Sequence, residues 1–211
     1  MKMQQQTADH HADPVVGYSL HNRRYLNVTN RCTLRCAFCP KFNKTWEVQG
    51  YPLRLYREPT VEQMLDAVGD PKDYEAVVFC GLGEPTLRLD AVLSVARQLK
   101  ARGAPAIRIN TDGLASLVHG RDVTPEMAGC IDALSVSLNA QDAFTYERHC
   151  RPKLPGAYPA LLDFVRAARV HVPEVTVTAV DGLAGVDITA CEAMARELGV
   201  GFRRRVLDQV G

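Results

Sequence analysis

The sequence predicts an α/β chain whose parallel strands curve into a partial, open (β/α)6 barrel, and three observations carry that prediction. Six short β-rich runs alternate with amphipathic helical runs, which implies a parallel sheet with right-handed crossovers. At 211 residues the chain is one domain by size, and it is shorter than the ~250 residues a closed eight-unit barrel usually needs. Within several β-rich runs polar and apolar residues alternate, so one face packs on helices while the other lines the curve.

Residues 1 to about 17 carry scattered His, Asp and Pro without periodicity, so a flexible tail is expected over 1–20, ahead of one domain over 21–211. His10 and His11 read as solvated tail, because no third metal ligand lies near them. The first strand is expected at 24–30, where Leu26 and Val28 oppose Asn27 and Thr29. A helix at 61–68 and a strand at 75–80 follow. The helix at 87–102 shows the 3.6-residue period in Leu89, Val92, Leu93, Ala96 and Leu99, with Gly103 as its stop. In the strand at 106–110, Ile107 and Ile109 oppose Arg108 and Asn110. After a short helical run at 125–130 comes the strand at 131–139, where Leu134, Val136 and Leu138 oppose Ser135, Ser137 and Asn139. A helix at 158–170 leads to the strand at 174–180, with Val175 and Val177 opposing Thr176 and Thr178. A helix at 188–198 precedes the last strand, 200–206. There Arg203, Arg204 and Arg205 read as a basic patch at a solvated strand end, with contact to an anionic substrate or nucleic acid as the alternative. Together the polar faces describe either a polar lumen with room for a ligand or the wet side of an ordinary sheet.

Composition narrows the classes of function. With 25 Lys+Arg against 24 Asp+Glu the net charge is +1, which leaves no global field to hold nucleic acid or an anionic membrane. Apolar residues at 46% and charged ones at 23% are ordinary globular values and argue against disorder. No apolar run approaches the ~18 residues of a membrane span, and the first residues do not read as a signal peptide, so a cytoplasmic location is expected. Of the seven cysteines, three crowd into Cys32, Cys36 and Cys39, which suits reduced thiols holding a metal or an iron–sulfur cluster.

Those three follow the first strand, at the carboxyl end where parallel barrels carry their chemistry. Three thiolates hold three irons of a 4Fe–4S cluster and leave one iron open. The alternative is zinc, with His21 as fourth ligand. Gly81-Leu82-Gly83-Glu84-Pro85 ends the second strand and brings a carboxylate to the same rim. It reads as a binder of a cationic group or as a tight turn with Glu84 near a helix N-terminus. Thr86 stands where a dinucleotide fingerprint needs glycine.

Cys-x3-Cys-x2-Cys with Phe38 before the last cysteine, followed at the next strand end by Gly-x-Gly-Glu-Pro, resembles the radical S-adenosylmethionine (SAM) superfamily. The run from Asn27 to Cys32 and the short chain are most similar to the small TatD-linked radical SAM proteins. The resemblance implies a TIM-like (β/α)6 core in which Cys32, Cys36 and Cys39 ligate the cluster and its free iron is chelated by SAM. It also implies that Gly81, Gly83 and Glu84 form the segment that meets the methionine amino group, that Phe38 lies beside the adenine, and that Asn110, Ser137 and Asn139 are SAM-contact positions. Asp112 departs from the Thr-Asn-Gly of many relatives. The implied chemistry is reductive cleavage of SAM to methionine and a 5′-deoxyadenosyl radical that takes hydrogen from an unidentified substrate. An electron donor such as flavodoxin or ferredoxin is the implied partner. The alternatives are an activating enzyme that installs a glycyl radical on a partner protein, and a non-catalytic iron–sulfur or zinc-binding protein.

Cys80, Cys130, Cys150 and Cys191 are spread singly, without the spacing of a second cluster. After the fourth strand, Tyr146, Glu147, Arg148, His149, Cys150 and Arg151 are expected in a loop on the active face. His149 and Arg151 are its candidate substrate contacts and Cys150 a candidate hydrogen donor, against the reading of a solvated loop. Lys44 and Trp46, beyond the cysteine motif, are the fallback.

Overall fold

The computed structural model describes residues 15–207, so most of the expected tail, with His10 and His11, lies outside the described residues. The tail is too long in the sequence reading, because Gly17–Leu20 form strand β1. It pairs antiparallel with β2 (Arg23–Asn27), Tyr18 opposite Tyr25. Four residues beside a polar segment give no period to read, and only the partner strand makes them β.

Six strands then run parallel: β2, β5 (Ala76–Cys80), β6 (Ile107–Thr111), β7 (Ala133–Ser137), β8 (Glu174–Asp181) and β9 (Gly201–Val206). The spatial order β1-β2-β5-β6-β7-β8-β9 follows the chain, with β1 and β9 as edges, so the barrel is partial and open. A small ribbon, β3 (Glu47–Val48) with β4 (Tyr51–Pro52), sits in the connection after β2.

The crossover helices are α1 (Val61–Val68), α2 (Leu89–Ala101), α3 (Ala115–His119), α4 (Ala143–Cys150), α5 (Ala157–His171) and α6 (Ile188–Leu198). Local chemistry sets their ends. At α1, Gln63 N donates to Thr60 Oγ1 at 3.2 Å while Thr60 N donates to Gln63 Oε1 at 3.0 Å, a reciprocal cap. Asp187 caps α6 through Ala190 N at 3.0 Å. The run expected as a helix at 125–130 is a 3₁₀ turn, Thr124–Met127. The stretch 143–150, expected as a loop, is α4, capped when Thr145 N donates to Asp142 Oδ1 at 2.8 Å.

Alternation decides what lies on each side of the sheet. Val77 and Phe79 of β5, Ile107 and Ile109 of β6, and Leu134 and Val136 of β7 join one core with Val92 and Leu99 of α2 and Phe164 of α5. The opposite face is not polar throughout. Val78 and Cys80 of β5 meet Tyr18, Leu53 and Leu82 in a second apolar cluster. Asn27, expected to line the lumen, is buried under the same cover and donates to Leu53 O at 2.9 Å. The polar lumen is thus confined to the β6–β9 side. No helix among the described residues is long and apolar enough to cross a membrane.

Candidate active site

A cavity of about 450 Å³ opens at the carboxyl ends of the strands. It brings together Cys32, Cys36, Phe38 and Cys39 from the first connection, Gly81, Gly83 and Glu84 from the second, Asn110 from β6, and Ser137 and Asn139 from the end of β7.

The cysteine loop is held by the far side of the barrel. Arg35 N donates to Cys150 O and Ala37 N to His149 O, both at 2.9 Å, so the carbonyl end of α4 carries the loop. Lys153 Nζ donates to Cys32 O at 2.8 Å. All three thiols are free and partly buried. Burial, with the nearby Asp112 and Glu84 carboxyls, pushes the Cys32 thiol up to about 12. A hydrogen bond with Cys150, then burial, pushes Cys36 up, and burial does the same for Cys39. Thiols in such surroundings keep their protons until a cation replaces them.

Glu84 is the hub of the rim. Its carboxyl group is buried and accepts from Thr86 N at 3.0 Å, Thr86 Oγ1 at 2.7 Å, Thr111 Oγ1 at 2.8 Å and Asp112 N at 2.6 Å. It therefore caps the 3₁₀ turn Pro85–Arg88 and also faces the cavity, so both sequence readings of this residue describe it. Asp112 accepts from Thr33 Oγ1 in a short bond and from Leu114 N at 3.0 Å. Burial, and then the charge of Asp112, lift Glu84 up to about 8; burial lifts Asp112 as well. Two adjacent carboxyl groups, both lifted by burial, form a site that a cation would relieve.

Two glycines make this closeness possible. A Cβ on Gly83 would strike the carbonyl oxygens of Thr29 and Arg31, and one on Gly81, at φ 129°, would strike Asn27 Oδ1. Close contact of this kind lets Glu84 N donate to Arg31 O at 2.7 Å, tying the two motifs together.

On the lumen side Asn110 Oδ1 is buried without a hydrogen-bond partner. Asn139, at φ 61°, donates from Nδ2 to Cys150 Sγ at 3.5 Å. The loop expected to meet substrate does not reach the cavity lining. His149 is turned to Ala184 O at 2.8 Å, Arg151 is the exposed left-handed cap of α4, and Cys150 is buried behind Cys36. Lys44 and Trp46 stay outside the lining too; Lys41 and Arg54 lie over the Trp46 ring.

The sequence reading put Arg203, Arg204 and Arg205 at a solvated strand end with anionic contact as the alternative, and the structure sides with the alternative in placing two of them on the lumen. Arg203 and Arg205 point into the cavity and only Arg204 points out, to Asp181. The period of two that placed Ser135 and Ser137 inside applies equally to 203 and 205. Arg108, already on the polar face by alternation, joins them.

The residues fit a cluster with an amino-acid-bearing ligand beside it: three thiols in one loop, a carboxyl pair without a cation, and an unsatisfied amide oxygen in one cavity. They do not fit zinc with His21. That residue lies in the exposed β1–β2 turn, at the opposite end of β2 from Cys32. Of the other thiols, Cys80 lines the same cavity beside Tyr18 Oη at 3.4 Å, while Cys130, against Met127 O at 3.5 Å, and Cys191, inside α6, stand apart.

The model of the radical SAM superfamily matches residues 26–198. The GTP 3′,8-cyclase of Lactiplantibacillus plantarum is 30% identical over 166 residues, covering 74% of this chain and 44% of that enzyme. The GTP 3′,8-cyclase of Mycolicibacterium smegmatis is 29% identical over 191 residues, covering 88% and 49%. Both alignments span less than half of the relative. Among solved structures, Streptococcus suis SuiB bound to S-adenosylmethionine superposes with a TM-score of 0.63 at 14% identity, over 88% of this chain and 38% of that one.

Proposed function

The chain belongs to the radical SAM superfamily, an enzyme family that uses a 4Fe–4S cluster and SAM, and on that premise we propose that this cavity is where the two meet. The observation that carries the reading is the convergence of the three-thiol loop and the Glu84–Asp112 carboxyl pair on one cavity. When bound, the cluster and SAM supply one-electron cleavage of the sulfonium and a radical that removes hydrogen from a substrate.

The protein's own part is positional. Cys32, Cys36 and Cys39 would hold the cluster as thiolates, and the α4 carbonyls keep their loop in place. Glu84, beside Asp112, would accept a hydrogen bond from the ammonium group of SAM, a cation that favours the ionised carboxylate over the protonated form that burial favours. Gly83 lets the backbone approach, and Phe38, Asn110, Ser137 and Asn139 offer a ring face and polar groups to the nucleoside. The apolar cover of Tyr18, Leu53 and Leu82 keeps water from one wall. A low-potential donor of the flavodoxin or ferredoxin class would supply the electron. The Asn27–Cys32 run supports a place among the TatD-linked members.

Anaerobic reconstitution, reduction in the presence of SAM, and chromatography for 5′-deoxyadenosine test this. Reductant-dependent 5′-deoxyadenosine is expected. Tightly bound zinc with no sulfide, and no SAM cleavage, would overturn it.

A further inference from the structure

Three guanidinium groups in the lumen are left unused by the cofactors. Arg108 on β6 and Arg203 and Arg205 on β9 all line the cavity, whose only carboxyl groups are Glu84 and Asp112 at the rim. Those carboxyls are already held by threonines and backbone amides. Among the described residues none of the three arginines forms an ion pair. Arg108 Nε and Arg205 Nε are buried with no hydrogen-bond partner. Arg203 donates to Ser135 Oγ at 3.3 Å and Arg205 to Asn139 Oδ1 at 3.4 Å, long bonds to neutral acceptors.

Arg108 and Arg205 are half-buried and Arg203 is more exposed, and like charges lining one cavity disfavour one another. Burial and then the Arg108 charge pull Arg203 down, and burial and then Arg203 pull Arg205 down. An oxyanion placed among them would remove the repulsion and satisfy the stranded donors together. Arg205 lies beside Cys36 and Cys150, whereas Arg203 lies near Arg108 and Tyr25. The second pair therefore stands away from the cysteine loop, with Tyr25 and Leu20 as apolar lining. With a net charge of only +1 and the arginines inside the curve, the ligand is a small molecule rather than a nucleic-acid backbone.

We propose that Arg108 and Arg203 bind the carboxylate or phosphate of a small substrate whose apolar body rests against Tyr25 and Leu20. The inference deepens the radical SAM reading and rests on it for the reaction.

The test is calorimetry on the reconstituted protein with SAM present, using benzoate and inorganic phosphate as separate probes of the two oxyanions. One of them should bind saturably. Arg108→Gln and Arg203→Gln should each weaken that probe roughly tenfold or more, as loss of a charge-assisted bond does. Arg204→Gln, on the outer face, should not. SAM affinity should stay at the wild-type level in all three, which also verifies folding; if Arg108→Gln does not fold, Arg203→Gln on the edge strand decides. No saturable binding of either probe, an equal loss in Arg204→Gln, or a fall in SAM affinity instead of probe affinity would overturn the proposal. Wild-type protein that takes the probe at these arginines but never binds SAM would sink the cofactor reading and leave the anion site.

Discussion

Replacing Glu84 by Ala should weaken the fold as well as the cofactor site, and the structure sets the size of the effect. Four donors converge on this carboxyl group, two of them the backbone amides of Thr86 and Asp112. The threonine hydroxyls can turn to other acceptors; the amides cannot. A buried amide left without an acceptor costs about 1–3 kcal/mol, and loss of a helix cap about 1 kcal/mol. Removing a carboxyl group that burial already disfavours in its charged form offsets part of this, so a net loss of about 1–3 kcal/mol is expected, a sizeable share of a typical 5–15. Urea unfolding of the cluster-free, reduced protein followed by far-ultraviolet circular dichroism measures it. Glu84→Gln should lose less, since its amide oxygen can serve the three donors at Oε1. A Glu84→Ala protein within about 0.5 kcal/mol of wild type would refute the carboxyl group as the hub of the rim.

Three further outcomes follow from the same geometry. Cys32→Ala, Cys36→Ala and Cys39→Ala should each lose the cluster by iron and sulfide analysis, while Cys191→Ala, buried in α6, should keep it; retention in all three motif variants would sink the assignment. Because burial lifts Glu84 from an ordinary 4.5 to about 8, the folded chain holds that proton more tightly than the unfolded one. Its contribution to stability is complete below about pH 4.5 and is lost as pH rises through about 8, so the ligand-free protein should weaken across that window and Glu84→Gln should flatten the slope; an unchanged slope in the variant would contradict this. Tyr146 is fully buried with an unpartnered hydroxyl, so Tyr146→Phe should match wild-type stability or exceed it by up to about 1 kcal/mol, and a clear loss in urea unfolding would show that the hydroxyl has an acceptor.

The parallel strands and long helices were legible because each repeats a period over enough residues to be read. β6 shows this in Ile107 and Ile109 against Arg108 and Asn110. α4 was not legible: AFTYERHC carries a weak apolar stripe, and its helical state depends on the Asp142 cap and on Tyr146 and Cys150 finding the core. β1 and the β3–β4 ribbon are too short to show a period, and pairing alone makes them strands. At the site, the motifs at Cys32–Cys39 and Gly81–Pro85 could be placed on one face, since both leave strand carboxyl ends. The hold of Thr111 and Asp112 on Glu84 needed the packing between neighbouring strand ends, whereas the inward turn of Arg203 and Arg205 was open to the period of two.

The hydrogen bonds from Arg35 and Ala37 to the carbonyls of Cys150 and His149 also set an order of biogenesis. The thiol loop lies early in the chain, but the surface that shapes it is made from residues more than a hundred positions later. Before α4 has left the ribosome, the three cysteines belong to an unanchored segment, open to oxidation or to the wrong metal. Stalled nascent chains ending before and after α4 should differ in iron uptake under anaerobic cluster donation, and equal uptake would contradict this. On the proposed reading of the site, cluster delivery would then be a late event, after most of the barrel has been synthesised, with the thiols needing protection until then.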